Sequence, residues 1–228
     1  MRRFSMAVAA LVLAGAPFAH AEVEEGFTSM FNGKDLTGWE AQGGTWWSVV
    51  DGILTAETTA ANPTPKNNHL IWKGGTPGDF EMRAEFRLSR SANSGIQLRT
   101  EAVFDRDTGY QADMNGGGDY VGFLYHPKQH LVGERGAKVA IDASGKKTVE
   151  RFADSAELQK LYKVEDWNTY RIVCKGPEIT LYVNGVMTTQ LKDDRADMMP
   201  RQGVITLQLH AGTPMKIEYR NLRIKELK

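Results

Sequence analysis

Cysteine is almost absent from the sequence, and its absence excludes several kinds of protein. Cys174 is the only cysteine among 228 residues, so the chain can form no internal disulfide and contains no Cys-x-x-Cys motif. Cys174 lies in the run YRIVCKG on the same predicted strand face as Ile172, and we expect it to be a buried, unreactive thiol. The core must therefore hold the fold without covalent cross-links.

The chain also lacks an excess of charge of either sign. Its 28 basic residues are balanced by 28 acidic residues, which argues against nucleic acid or an anionic membrane surface as the main partner. The one long apolar run, MAVAALVLAGAPF at residues 6–18, is shorter than the ~20 residues that a membrane-spanning helix needs. No later segment supplies such a run, so we expect no membrane span.

The N-terminal apolar run has the features of an export signal. Arg2 and Arg3 precede it, and Ala19-His20-Ala21 follows it as an A-x-A cleavage site. We therefore predict a signal peptide at residues 1–21, cut after Ala21, and one domain at residues 22–228 in the periplasm or outside the cell. The remaining chain is long enough to bury a single well-packed core.

The sequence from residue 22 onward is divided into short strand-like runs by Gly, Pro, Asn and Asp. The clearest run, DFEMRAEFRLS at residues 79–89, alternates apolar and charged residues, as a strand with one buried face does. Asn184-Gly185 is a strong two-residue hairpin signal, and only ADSAELQKLY at residues 153–162 has helical spacing. The pattern predicts an all-β fold, a jelly-roll β-sandwich of two antiparallel sheets with one short helix.

Alternation also predicts which polar residues face away from the core. The resulting set comes from three runs, SGIQLRTE, GYQADM and VITLQLH: Gln97, Arg99, Glu101, Gln111, Asp113, Gln208 and His210. Amides and arginine match the paired donors and acceptors of vicinal hydroxyls, and carboxylate and imidazole can move protons. A solvated surface is the ordinary interpretation of any one of these residues, but the set as a whole predicts a sugar or polyol site on a concave face.

A few residues are weaker candidates for the same site. Trp72 and Tyr125 are candidate rings for stacking on a sugar, and one of the adjacent Trp46 and Trp47 must face outward. Glu85 is a candidate if its strand belongs to the concave sheet. His126 in LYHP could line the rim of the cleft or cap a turn. The loop NGGGD at residues 115–119 could be a mobile lip or a plain connector.

Common catalytic patterns are missing. A retaining glycosidase on a jelly roll needs two carboxylates ~5 Å apart, and no Glu-x-Asp-x-x-Glu run is present. His-Glu-x-x-His and Gly-x-Ser-x-Gly are absent too, although a divalent cation near His210 and Asp113 remains open. Two functions remain possible for such a face. It could be a non-catalytic carbohydrate-binding module, or it could belong to a conventional glycoside hydrolase that pairs Glu101 with Asp113.

A series of motifs runs from residue 26 to residue 228 and includes GFTSMFNGKDLTGWE, GDFEMRAEFRLSRSANSGIQLR, GYQADM, WNTYRIV, ITLYVNG, GVITLQLH and YRNLRIKEL. In this order they resemble the motifs of the 3-keto-disaccharide hydrolase family. The resemblance implies a concanavalin A-like jelly roll. It also implies action on glycosides whose C3 hydroxyl has been oxidised to a ketone by a partner sugar 3-dehydrogenase.

The resemblance further implies a chemistry that needs no pair of matched carboxylates. The ketone acidifies the C2 proton, a base removes it, and the C1 aglycone leaves by β-elimination, with water added later. The implied roles are His210 and Asp113 as the proton-moving pair and Arg99, or a divalent cation, as the stabiliser of the enolate. Gln97, Gln111 and Gln208 would hold sugar hydroxyls. Members of the family often carry Glu and Gln in the Gly-Tyr motif, where this chain has Gln111 and Asp113.

Overall fold

Two β-sheets pack against each other in the part of the chain that the computed structural model describes, residues 24–101 and 109–228. The predicted signal peptide lies outside these residues. Apolar side chains from both sheets form one core, for example Leu70 and Ile96 from one sheet with Phe86 and Ile172 from the other. The predicted jelly-roll β-sandwich is confirmed, and it has one short helix.

The described residues contain seventeen strands and one helix, numbered here in chain order. The strands are β1 Thr28–Ser29, β2 Trp39–Ala41, β3 Trp47–Val50, β4 Ile53–Thr58, β5 Asn68–Trp72, β6 Phe80–Leu88, β7 Asn93–Thr100, β8 Tyr110–Asn115, β9 Leu124–His126, β10 His130–Gly133, β11 Ala137–Ile141, β12 Lys147–Arg151, β13 Asn168–Lys175, β14 Glu178–Val183, β15 Val186–Asp193, β16 Val204–Leu209 and β17 Met215–Glu226. The helix is α1 Ser155–Gln159, which lies between β12 and β13.

Strand order separates the chain into a ten-stranded and a seven-stranded sheet. The ten-stranded sheet runs β12-β11-β15-β14-β13-β6-β17-β4-β3, with β1 paired to β17, and the seven-stranded sheet runs β10-β9-β8-β7-β16-β5-β2. The described pairs are antiparallel, as expected, except that β11 pairs with β15 in parallel. Parallel pairing needs a long crossover, and β12, α1 and the β13–β14 hairpin lie between these two strands.

The alternation in the sequence matches the buried faces of the strands. In β6 the apolar residues Phe80, Met82, Ala84, Phe86 and Leu88 are each at most 2% exposed, and the charged residues between them face outward. Cys174 is fully buried in β13, and burial raises the pKa of its thiol to about 12, as an inert thiol requires.

The predicted helix and hairpin are present, although the helix is shorter than expected. Helix α1 begins after Asp154, whose side chain accepts hydrogen bonds from the backbone N–H groups of Ala156 and Glu157. Asn184 and Gly185 turn the β14–β15 hairpin with positive φ angles of 48° and 84°. No helix among the described residues is long and apolar enough to cross a membrane.

Candidate functional site

Polar side chains from four neighbouring strands meet on the outer face of the seven-stranded sheet. Gln97 of β7 lies opposite Gln111 of β8 on one side and Thr206 of β16 on the other. Further along, Gln208 of β16 lies opposite His69 of β5. Directly opposed residues share a face of the sheet. We call this set the amide face: His69, Gln97, Gln111, Asp113, Thr206 and Gln208.

Asp113 is the carboxylate of the amide face, and it is only 7% exposed. Its Oδ1 accepts hydrogen bonds from Nε2 of Gln111 at 3.1 Å and from the backbone N–H of Met114 at 3.0 Å. Burial raises the pKa of Asp113 to about 7, even though both hydrogen bonds act to lower it. This carboxyl can therefore hold or release a proton near neutral pH.

The side chain of Gln111 lies across Gly95 of the neighbouring strand β7. A Cβ atom on Gly95 would come within 2.2 Å of the Gln111 Cδ atom, so only glycine leaves room for the amide. From this position Nε2 of Gln111 also lies 3.5 Å from Oε1 of Gln208 on the far side of β7. Gln111 thus links Asp113 to Gln208 across an intervening strand.

A second polar chain runs beside the first. The Thr206 hydroxyl donates to Oε1 of Gln97 at 2.8 Å and lies 3.4 Å from Nδ1 of His69. Burial lowers the pKa of His69 to about 4, so its imidazole is neutral at neutral pH. His69 is not apparent from the sequence, because β5 mixes polar and apolar residues and lacks a clear strand pattern. The alternation of His69 and Ile71 opposite Gln208 and Thr206 is the signal that could have identified it.

His210 follows the last residue of β16 at one end of the amide face. It is partly buried, and its backbone N–H donates to the carbonyl of Asn93 at 3.4 Å. Its Nδ1 lies 2.5 Å from the carbonyl oxygen of Ala211. Since a carbonyl oxygen only accepts hydrogen bonds, Nδ1 carries the hydrogen. In the neutral ring Nε2 is then the unprotonated nitrogen and can accept a proton.

Two buried tyrosines of the ten-stranded sheet support the backbone beneath this face. The Tyr170 hydroxyl donates to the carbonyl of Asp113 at 2.6 Å and accepts from the N–H of Gly122 at 2.7 Å. The Ser94 hydroxyl donates to the carbonyl of Gln208 at 2.6 Å and lies 2.7 Å from the Tyr219 hydroxyl. The strands that carry Asp113 and Gln208 are therefore held to the opposite sheet by hydrogen bonds.

The glycine-rich loop at residues 115–119, next to β8, is held in place by its neighbours. Arg135, only 4% exposed, donates to the carbonyls of Gly118 at 3.0 Å and Val121 at 2.8 Å. The Tyr162 ring packs so closely that a Cβ on Gly118 would come within 2.6 Å of it. These contacts favour the connector over the mobile lip.

The expected position of Arg99 beside Gln97 is wrong. Arg99 has a φ of 51°, and the pairing of β7 with β16 shifts in register next to it, so the strand alternation breaks there. Its side chain is 1% exposed and donates to the carbonyls of Gly78 at 2.7 Å and Gly176 at 2.6 Å. It also pairs with Asp79 at 3.0 Å. Arg99 thus connects two loops of the ten-stranded sheet and is not part of the amide face.

Glu85 and Trp72 also lie away from the amide face. Glu85 is on β6 of the ten-stranded sheet, where it accepts hydrogen bonds from Arg220 at 2.7 Å and Asn221 at 2.5 Å. Trp72 lies opposite Trp39 and packs against the core, because it is on the same side of β5 as Leu70. The prediction that Trp72 stacks on a sugar at this face is wrong.

The remaining candidates divide between the two sides of the sheet. Tyr125 lies opposite Gln111 and so belongs to the outer side. His126 is 1% exposed, and its Nδ1 accepts a hydrogen bond from the backbone N–H of Lys128 at 3.1 Å, so it caps a turn. Glu101 is exposed just after the end of β7. Of the adjacent tryptophans, Trp47 is in the core and Trp46 is partly exposed.

The described residues do not support metal binding by acidic, histidine or cysteine side chains. Within residues 24–101 and 109–228, no three such side chains come together in a way that could hold a metal ion. His210 and Asp113 alone would leave most of the coordination sphere of a divalent cation to other ligands.

Comparison with known proteins places the chain among carbohydrate-active proteins. Residues 26–225 match a family described as the 3-keto-alpha-glucoside-1,2-lyase-like domain, which confirms the family expected from the motifs. No curated protein matches the chain significantly.

Solved structures share the fold at low sequence identity. A candidate glycosyl hydrolase from Parabacteroides distasonis has a TM-score of 0.61 at 18% identity, covering 90% of this chain and 95% of its own. The carbohydrate-binding module CBM66 from Bacillus subtilis has a TM-score of 0.55 at 11% identity, with coverage of 83% and 96%. A Bacillus licheniformis β-glucanase has a TM-score of 0.50 at 12% identity, with coverage of 89% and 97%. Because one fold serves both catalysis and binding, these likenesses support the fold alone.

Proposed function

The chain belongs to the family of 3-keto-alpha-glucoside-1,2-lyase-like domains, and we propose that it cleaves glycosides whose C3 carries a ketone. The observation that carries the proposal is Asp113, a buried carboxyl whose pKa is raised to about 7 within a row of amides. Among the described residues it is the only carboxylate of the amide face, whereas a conventional glycosidase needs two. One near-neutral acid-base group, with His210 at the end of the same face, fits elimination better than double displacement.

The proposed reaction proceeds by elimination across C1 and C2. A base removes the C2 proton, and the electrons of the C2–H bond move towards the carbonyl, giving an enolate. The enolate then collapses, a C1–C2 double bond forms, and the C1–O bond to the aglycone breaks. The departing oxygen takes a proton from an acid, and water adds to the double bond in a later step.

The geometry supports one division of the roles. Nε2 of His210 is the unprotonated nitrogen of the neutral ring, so we assign it the removal of the C2 proton. Asp113 in its protonated form gives its proton to the leaving oxygen. The Gln97 oxygen is already occupied by Thr206, so its amide N–H groups can donate to the sugar or the enolate oxygen. In this proposal Gln97 replaces Arg99 as the enolate donor.

A paired assay tests this function. The purified protein receives a glucoside, and separately the same glucoside oxidised at C3, each with and without a chelator, and aglycone release is followed. We expect release from the keto form only. Release from the unoxidised glucoside would favour a conventional hydrolase, and binding without release from either would favour a carbohydrate-binding module. Loss of release in the chelator arm would add a divalent cation to the mechanism.

We also propose that the protein is exported and works with a sugar 3-dehydrogenase. The N-terminal pattern of Arg2, Arg3, the apolar run and Ala19-His20-Ala21 supports cleavage after Ala21. The dehydrogenase is the class of enzyme that oxidises C3 and so supplies the ketone. N-terminal sequencing of the protein from its host should begin at Glu22, in the periplasmic or secreted fraction. An intact Met1 in the cytoplasmic fraction would contradict export.

A further inference from the structure

The side-chain amide of Gln111 donates its hydrogen bonds to other residues of the protein. Its Nε2 lies 3.1 Å from Oδ1 of Asp113 and 3.5 Å from Oε1 of Gln208, and the residue is only 4% exposed. A terminal amide nitrogen has two hydrogens, and each has a protein acceptor in this arrangement. This is unlike a glutamine that presents its N–H groups to a sugar.

Gly95 makes this arrangement sterically feasible. It lies inside β7 and is not among the glycines with positive φ, so its backbone conformation does not require glycine. What requires glycine is space, because a Cβ atom would come within 2.2 Å of Cδ and 2.4 Å of Nε2 of Gln111. The missing side chain of Gly95 therefore sets the path that Gln111 takes across the sheet.

The two carboxylate oxygens of Asp113 differ in their hydrogen-bond partners. Oδ1 accepts from Gln111 and from the backbone N–H of Met114 at 3.0 Å. Among the described residues, no hydrogen bond to Oδ2 is found. A proton on Oδ1 would compete with two donors, so the proton of the neutral acid belongs on Oδ2.

We propose that Gln111 is a positioning residue, which uses the space left by Gly95 to hold Oδ1 of Asp113 so that Oδ2 exchanges the proton with the substrate. The inference rests on the proposed function, because it specifies which oxygen of Asp113 reacts. It differs from the expectation that Gln111 binds a sugar hydroxyl. A sugar-binding glutamine would contribute mainly to KM, whereas a positioning residue contributes mainly to kcat.

Two variants test the proposal by different routes. Gln111→Leu removes the amide at similar size. Gly95→Ala keeps the amide but displaces it, and the atoms it displaces are at the end of a flexible side chain, so the fold is retained. Gln190→Leu is the matched control for the first, since Nε2 of Gln190 donates to Glu178 at 2.9 Å on the ten-stranded sheet. Gly78→Ala is the control for Gly95→Ala. A Cβ atom added at Gly78 would lie 3.4 Å from its nearest neighbour, the carbonyl oxygen of Arg201, so it displaces no side chain.

The first readout needs no substrate. The side-chain carboxyl carbon of Asp113 is followed by ¹³C NMR as the pH is raised, in the wild type and in all four variants. Loss of a hydrogen bond to the ionised form raises a carboxyl pKa, so the Asp113 titration should move to higher pH in Gln111→Leu and Gly95→Ala. It should be unchanged in the two controls. An unchanged titration in both test variants would overturn the proposal, whatever their activity.

The second readout is the kinetics of aglycone release from a 3-keto-glycoside. We expect kcat to fall about 10- to 100-fold in both test variants, with KM little changed and the pH–rate profile moved in the same direction as the titration. A rise in KM at unchanged kcat would overturn the proposal in favour of sugar binding. A wild type that releases no aglycone would refute the proposed function, and the NMR titration would then decide the positioning role alone.

Discussion

The two outer faces of the sandwich are both polar, but they are built differently. On the ten-stranded sheet, Arg87 pairs with Glu218 at 2.6 Å and Arg220 with Glu85 at 2.7 Å. The Trp167 ring lies beside both guanidinium groups, at 4.9 Å from Arg87 and 4.0 Å from Arg220. On the seven-stranded sheet the corresponding positions hold amides, a hydroxyl, a neutral imidazole and one carboxyl.

The two faces differ in how their charged groups are satisfied. On the ten-stranded sheet each of these cations has an anion beside it, so the charges satisfy one another. Among the described residues no cation pairs with Asp113: its partners there are an amide and a backbone N–H, and burial makes its ionised form costly. A protein keeps such a group where its proton is useful.

The largest expected effect is on kcat, and it should distinguish Asp113 on the amide face from Glu85 on the ten-stranded sheet. Asp113→Asn should lower kcat for aglycone release from a 3-keto-glycoside by about 10²- to 10⁴-fold, since it removes the acid. Glu85→Gln, on the other sheet, should leave kcat within about twofold. Steady-state kinetics on both variants checks this. Equal losses in the two would remove the functional distinction between the faces.

Arg99 should matter for stability more than for turnover. Arg99→Met leaves two backbone carbonyls without their donor and removes the cation beside Asp79, which keeps the Gly176 N–H, so it should lower the free energy of unfolding by about 2–4 kcal/mol. Exposed Arg90→Met is the control and should change it by less than about 0.5 kcal/mol. Urea unfolding measures both. A stable Arg99→Met protein with abolished turnover would restore the catalytic role expected from the sequence.

The raised pKa of Asp113 predicts a pH-dependent stability. Its pKa rises from 3.8 to about 7 on folding, so the folded state binds the proton more tightly and loses stability as pH rises between these values. Asp113→Asn should therefore be more stable than the wild type by up to about 4 kcal/mol at pH 8, with the difference vanishing below about pH 3. Thermal or urea unfolding across this range checks it. A difference that does not vary with pH would contradict the raised pKa.

The smallest effect should come from the ion pairs of the ten-stranded sheet. Arg87→Ala removes one partly exposed salt bridge and one contact with Trp167, and should cost about 1 kcal/mol. Part of this cost should disappear at high salt, because the pair is screened. Unfolding at low and high salt measures it. A loss of several kcal/mol together with lost turnover would mean that this face, too, serves function.

Strand periodicity predicted the fold and part of the site. Phe80 to Leu88 alternate as a strand with one buried face must, and the same rule placed Gln111, Asp113 and Gln208 on an outer face. The rule holds for these residues because each lies inside a regular strand. It cannot tell which of two sheets a strand joins, and this is why Glu85 remained a candidate.

The misplaced residues lie where periodicity fails. Arg99 has a left-handed backbone conformation that no local pattern announces, and its side chain turns towards distant loops. Trp72 and His126 lie on the inner faces of β5 and β9, two short strands whose bounds are not apparent from the sequence. His69 is not apparent for the same reason. Long-range pairing decides these positions, and short windows of sequence do not contain it.

The hydroxyls of Tyr170 and Tyr219 join the amide face to the interior of the protein. Through them the carbonyls of Asp113 and Gln208 are connected, directly or by way of Ser94, to strands of the opposite sheet. The shape of the amide face therefore depends on buried residues of the opposite sheet as well as on its own outward-facing side chains. A library that varies only the outward-facing residues would sample a scaffold whose shape is set in part by these two buried phenols.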